Sequence, residues 1–189
     1  MREGARHDAG TEPAAVRLLN KLTVLGGALA LSAAFTAADT GVASADIGGT
    51  YRNFGDSECI AASMTSNAIT QQLCGTTPGQ SWTVIGSAGG PLQIENLDTG
   101  LCMNISSFSN GAPVVQVNCG DQRITSFWNV TRVGTHPLYP GPPGVPLLRI
   151  SSPFANDCLD LEDGRHDVGL PIQVWACNPN TSNQKWYAI

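Results

Sequence analysis

Residues 158–187 read CLDLEDGRHDVGLPIQVWACNPNTSNQKWY. A cysteine is followed two positions later by an aspartate, Gln173-Val174-Trp175 stands just before a second cysteine, and Asn183-Gln184-Lys185-Trp186 closes the stretch. Towards the N-terminus the same skeleton appears twice more in eroded form. Cysteines fall at 59 and 74, 102 and 119, and 158 and 177, spacings of 15, 17 and 19. A tryptophan follows each pair, at 82, 128 and 186, which is 8, 9 and 9 residues after the second cysteine. With only four tryptophans in the chain, that agreement marks an internal threefold repeat.

Six cysteines could pair in fifteen ways. The repeat selects one: Cys59 with Cys74, Cys102 with Cys119, Cys158 with Cys177. Closing each loop contributes on the order of 3 kcal/mol in the chain-entropy model. There is no CxxC motif, and His136 and His166 are the only imidazoles after residue 45, so a disulfide framework is expected and a metal site is not.

Between the cysteines and tryptophans lie short β-prone runs such as SWTVIG, PLQIEN, GLCMNI, PVVQVNC, FWNVTRV, PLLRI and PIQVWAC, separated by Gly, Asn, Pro and Ser. No stretch sustains a long helical apolar period. One such unit cannot bury a core alone, but three around a pseudo-threefold axis can. The expected fold is all-β, a closed barrel of broadly Greek-key type whose closure removes exposed edges. Trp82, Trp128 and Trp186 recur in every unit and are expected in the core. Trp175 occurs in the third unit alone and answers a need that the shared fold does not have. Residues 134–146, GTHPLYPGPPGVP, carry five prolines and are expected to form a surface insertion without regular ladders.

The first 45 residues read as a leader. Residues 22–38 carry no charge, follow Arg17 and Lys21, and precede Ala43-Ser44-Ala45, small residues placed for signal-peptidase cleavage before Asp46. The acidic stretch ahead of them fits a translation start nearer Val16. An uncleaved anchor is the competing reading, although seventeen residues rich in Ala, Gly and Leu are marginal for about 30 Å of hydrocarbon. The expectation is a secreted chain of residues 46–189 without stable membrane insertion. It carries six Lys and Arg against eleven Asp and Glu, a net charge of −5. That balance, without a basic patch, excludes nucleic acid as an expected partner.

The third unit carries the chemistry. Asp160 offers carboxylate acceptors, and Asn183 offers an amide that both donates and accepts. Gln173 and Trp175 alternate along one strand and so share a face. A carboxylate, an amide and an indole suit a pyranose, whose C–H face lies on an aromatic ring while its vicinal hydroxyls bond polar groups. Other roles exist for the same residues: Asp160 as a turn cap, Trp175 as core, and Asp157, Asp160, Glu162, Asp163 and Asp167 as calcium ligands, though not in an EF-hand order. Glycosidase chemistry requires two carboxylates, one with a raised pKa, and no apolar run around this cluster marks one. No GxSxG or HExxH motif occurs, so the chain is not expected to be an enzyme. No cofactor is expected. Asn104-Ile-Ser, Asn129-Val-Thr and Asn180-Thr-Ser would be glycosylation sequons only in a suitable host.

GQSW and NQKW resemble the Gln-x-Trp signature of the ricin B-type lectins, and CLDLEDGR, PIQVWAC and TSNQKW together resemble a galactose-binding subdomain of that family. The resemblance covers about residues 51–189 and implies a β-trefoil with repeats at about 51–92, 93–133 and 147–189. It implies that Asp160 accepts from sugar hydroxyls, Trp175 stacks on the ring, Asn183 makes a polar contact, and Gln173 and Gln184 orient or complete the site. In unit one Ala61, Thr70, Gln72 and Gly79 occupy the places of Asp160, Gln173, Trp175 and Asn183; in unit two Asn104, Val115, Val117 and Thr125 do. Ser126 also interrupts Gln-x-Trp before Trp128. One site for galactose or N-acetylgalactosamine glycans is therefore expected, in unit three. The family also implies two alternatives: a non-catalytic delivery or receptor-binding subunit with a second secreted protein, and a trefoil that acts as a protein inhibitor or interaction module.

Overall fold

In a computed structural model, the described residues are 48–189 apart from 56–57, 76, 88 and 137–143. The leader and its cleavage site lie outside them. Each repeat supplies four strands: β1 (Tyr51–Asn53), β2 (Cys59–Ala62), β3 (Ile69–Gln72) and β4 (Trp82–Ile85), then β5 (Gln93–Asn96), β6 (Leu101–Ile105), β7 (Ala112–Asn118) and β8 (Asn129–His136), then β9 (Val145–Ser151), β10 (Asp157–Leu161), β11 (Ile172–Ala176) and β12 (Trp186–Ala188). The first and fourth strands of the repeats form a closed ring. β4 pairs with β5, β8 with β9, β9 with β12 and β12 with β1, all antiparallel. Bridges between Gly49 and Trp82 and between Leu92 and Trp128 complete it. The second and third strands make three hairpins, β2–β3, β6–β7 and β10–β11. This is an all-β β-trefoil, and the three disulfides pair as the repeat requires.

The repeat-closing tryptophans explain why so short a unit can fold. Each is buried, and each indole Nε1–H donates at 3.1 Å to the carbonyl of the residue just after the first cysteine of its repeat: Trp82 to Ile60, Trp128 to Met103, Trp186 to Leu159. The bond ties the fourth strand to the second through the core and leaves no indole donor orphaned. Around them pack Ile60, Ile94, Met103, Ile105, Leu148, Leu159 and Val174. Six residues before each first cysteine, a short polar side chain turns the chain between strands one and two. Asn53 Oδ1 accepts from Gly55 N–H, Asn96 Oδ1 from Asp98 and Thr99 N–H, and Ser152 Oγ from Phe154 N–H.

The hairpins interlock cyclically, each turn docking on the third strand of the next repeat. The Asn67 carbonyl of repeat one accepts from Gln116 N–H on β7, Gly111 N–H of repeat two donates to the Val174 carbonyl on β11, and Gly169 N–H of repeat three donates to the Gln71 carbonyl on β3. No repeat is therefore complete alone.

The proline-rich insertion departs from expectation at both ends. Gly134, Thr135 and His136 pair with Leu147, Pro146 and Val145, extending the β8–β9 hairpin past a register shift between Arg132 and Gly134. Only 137–143 fall outside the described residues. The ladder persists because Pro146 is near the start of its strand, where a missing donor is tolerated.

Trp186→Ala is expected to cost about 3–5 kcal/mol in urea unfolding, a core cavity plus an orphaned carbonyl at Leu159. Trp186→Phe keeps most of the apolar volume and is expected to lose less than half as much.

Candidate functional site

The β10–β11 register sets the site. Asp160 lies opposite Gln173, and Cys158 opposite Trp175, so all four side chains emerge on one face of the hairpin. The Cys158–Cys177 bridge ties the start of β10 to the chain just beyond β11. Asp160, Gln173, Trp175, Asn183 and Gln184, the residues expected from sequence, line one open depression of about 240 Å³. Asp163, which the sequence offers only among carboxylates that could bind calcium, also lines it, and so do Asn178 and Thr181, which the sequence does not single out. The DG turn at Asp163-Gly164 was the available signal for the first. The other two lie in the NPNTSN segment, which displays no periodicity.

Asp160 is only 5% exposed, and its carboxylate is held on both oxygens. Gln173 Nε2 donates to Oδ1 at 2.9 Å, and Gln184 Nε2 donates to Oδ2 at 3.1 Å. Gln184 is itself fixed by the disulfide segment: its Nε2 also reaches the Ala176 carbonyl at 3.1 Å, and its Oε1 accepts from Asn178 N–H at 2.7 Å. Gln80 repeats this clamp in repeat one, donating to the Leu73 carbonyl and accepting from Gly75 N–H. The glutamine of Gln-x-Trp is thus a strut of the fold that in repeat three also grips a carboxylate.

Burial raises the Asp160 pKa above the ordinary carboxyl value; the two glutamine amides pull it back in part, and the nearby Asp163 adds to the rise. In the sequence no apolar run around this cluster marks a raised carboxyl pKa. The desolvating wall is tertiary, so that expectation is corrected. A raised pKa alone does not make a glycosidase. Among the described residues, no group of three or more His, Cys, Asp or Glu could hold a metal ion.

Trp175 is 45% exposed, whereas the three repeat-closing tryptophans are buried. Asn183 is placed through its backbone: its carbonyl accepts from Asn53 Nδ2 at 2.9 Å and Leu161 N–H at 3.2 Å, and its N–H donates to Thr181 Oγ1. Its side chain lies over Gly164, where a β-carbon would approach Asn183 Oδ1 to 2.8 Å, and Gly164 has φ of +62°. Glycine there serves both the turn and the amide.

The other repeats differ at the same register positions. In repeat one Ala61 faces Thr70, Gln72 donates to Thr70 Oγ1, and among the described residues neither carboxylate nor aromatic lines the local depression. In repeat two Asn104 faces Val115, and its polar atoms are consumed internally, Oδ1 accepting from Thr125 Oγ1 and Nδ2 donating to the Ile105 carbonyl. Asn104 is also buried, which removes the first sequon from solvent.

Two outcomes follow from this geometry. Because the folded Asp160 pKa is raised, its contribution to stability is full below the ordinary carboxyl pKa and is lost as pH rises through the raised value. Urea unfolding from about pH 4 to pH 7 should show wild type losing stability relative to Asp160→Asn. Gly164→Ala should cost about 1 kcal/mol or more at any pH, through the left-handed backbone and the displaced Asn183 amide.

Comparison with known proteins places this geometry. The ricin-type beta-trefoil lectin domain matches residues 48–186. No curated protein matches the sequence. Among solved structures, a ricin B-like lectin of Macrolepiota procera in complex with lactose is similar at 21% identity and a TM-score of 0.60, over 77% of this chain and 96% of that one. An exo-beta-1,3-galactanase from Clostridium thermocellum is similar at 19% identity and a TM-score of 0.62, over 75% of this chain but 30% of that one. A mosquitocidal holotoxin is similar at 17% identity and a TM-score of 0.60, over 75% of this chain and 17% of that one. The family match spans all three repeats, each with its disulfide and buried tryptophan, and the chain belongs to the ricin-type β-trefoil lectin domain family.

Proposed function

We propose that this protein is a secreted, non-catalytic lectin that binds galactose-type glycans through a single site in repeat three. The observation that carries the reading is the exposed Trp175 indole beside a carboxylate, Asp160, fixed on both oxygens by Gln173 and Gln184. A sugar ring stacked on the indole would place vicinal hydroxyls at Asp160 and Asn183. The hydroxyls donate to the carboxylate, and the amide completes the pair on the other side. Gln173 and Gln184 hold the acceptor in place before the sugar arrives, so little ordering is lost on binding.

The loss of the carboxylate, aromatic and amide from repeats one and two supports one site per chain. Residues 46–189 form the binding domain in this reading, and residues 1–45 form an export signal removed near Ala45–Asp46. A single shallow site gives weak affinity for a monosaccharide. About 1 mM, roughly −4 kcal/mol, is the expected scale, and avidity would come from multivalent display. A second reading, delivery of a partner protein, draws on the galactanase and the holotoxin, in each of which the part similar to this chain is under a third of the whole. Copurification with a second exported protein would favour it.

Ligand-observed NMR with galactose and N-acetylgalactosamine, on the disulfide-bonded protein and on Trp175→Ala, tests the proposal. Wild type should bind both at the millimolar scale, and the folded variant should bind neither. Galacturonate should bind at least about threefold more weakly than galactose, because Asp160 and Asp163 both line the depression. Silence from the wild type at tens of millimolar sugar, about ten times the expected affinity, would sink the galactose reading.

A further inference from the structure

We propose that the carbohydrate site is built by two repeats, with Asn110 and Gly111, in the β6–β7 turn of repeat two, as positioning residues for Gln173 and Trp175. The inference rests on the reading of repeat three as the sugar site, and it concerns residues about 65 positions away in sequence.

Trp175 sits where its strand runs out of support. On one edge β11 pairs with β10 along its whole length. On the other edge it pairs with β7 only through Gln173 with Pro113 and Val174 with Ala112. Beyond Val174 the turn takes over. Gly111 N–H donates to the Val174 carbonyl at 2.9 Å, and Asn110 Oδ1 accepts from Ala176 N–H at 2.8 Å. These two bonds bracket Trp175 on the edge that the ladder leaves open. Gly111 has φ of +82°, and a β-carbon there would lie 3.7 Å from both Gln173 Oε1 and Trp175 Cζ3. The Gln173 amide and the indole edge thus border the space that a side chain at this turn position would enter.

The backbone bond recurs in the trefoil, Gly169 N–H donating to the Gln71 carbonyl, but the side-chain contacts elsewhere run the other way. On β3 the strand residue Gln71 reaches out, its Nε2 donating to the Arg165 carbonyl of repeat three. On β7 Gln116 does the same, its Nε2 donating to the Ser63 and Ser66 carbonyls of repeat one. At the corresponding position of β11 stands Val174, which is apolar and buried. The turn then supplies the polar side chain, through Asn110. This reversal occurs on the strand that carries an exposed aromatic. A half-exposed indole has few neighbours to fix its rotamer, so strand-end mobility passes directly into the stacking surface.

The test follows the four tryptophan indole N–H resonances and galactose affinity in the disulfide-bonded wild type, Asn110→Ala and Asn110→Asp. In Asn110→Ala the Trp175 signal should shift or broaden while those of Trp82, Trp128 and Trp186 stay in place, and affinity should fall about fivefold, the equivalent of one net hydrogen bond. Asn110→Asp keeps an acceptor for Ala176 N–H and should restore both readouts. An unmoved Trp175 signal with unchanged affinity in Asn110→Ala overturns the inference, and so does movement of all four indoles together, which would mark a general loss of structure. If wild type binds no galactose yet Trp175 alone still moves, the positioning role stands and the galactose reading fails.

Discussion

The fold depends on one interaction made three times: a buried tryptophan whose indole N–H reaches the carbonyl just past the first cysteine of its own repeat. The indole fills the interior, and its donor prevents the fourth strand from sliding along the second. The same tryptophans pair by backbone with Gly49, Leu92 and Leu148, ten residues before each first cysteine. Each therefore joins three strands of its repeat. The disulfide and the polar turn before each first cysteine fix what remains of the unit. Nothing in this scheme requires the face that carries Asp160, which leaves that face free to vary.

Such variation separates the repeats. At one register position the chain carries Ala61, Asn104 and Asp160, and at the facing position Thr70, Val115 and Gln173. Repeat two converts the site into internal structure by bonding Asn104 to Thr125 and Ile105. Repeat one leaves an open but uncharged hollow. Repeat three keeps a carboxylate that burial makes costly to ionise, and it spends two glutamine amides on holding it. The unfavourable solvation of Asp160 fits a group retained for something other than stability.

Gln184 shows how fold and site share parts. Its counterpart Gln80 makes the same backbone bonds in a repeat with no carboxylate to hold, so the clamp serves the disulfide segment first. Sequence motifs mix such roles. Gln-x-Trp marks the architecture, whereas Cys-x-Asp and the exposed tryptophan mark the face that differs.

The sequence by itself determined the threefold repeat, the disulfide pairing, the buried tryptophans and the five residues that converge in repeat three. These were legible because each acts within one repeat: the spacing of cysteines and tryptophans carries the repeat and its disulfides, closed across 15 to 19 residues, and side-chain chemistry together with the resemblance to the ricin B-type lectins carries the site residues. Tertiary structure decided what spacing does not encode. It brought Asp163, Asn178 and Thr181 to the depression, raised the Asp160 pKa by desolvation, and extended the β8–β9 hairpin into a proline-rich segment. It also set Asn110 against Ala176 and Asn53 against Asn183, contacts 66 and 130 residues apart. Such contacts leave no local pattern, because they exist only once the three repeats close around a common axis and each turn meets the strand of its neighbour.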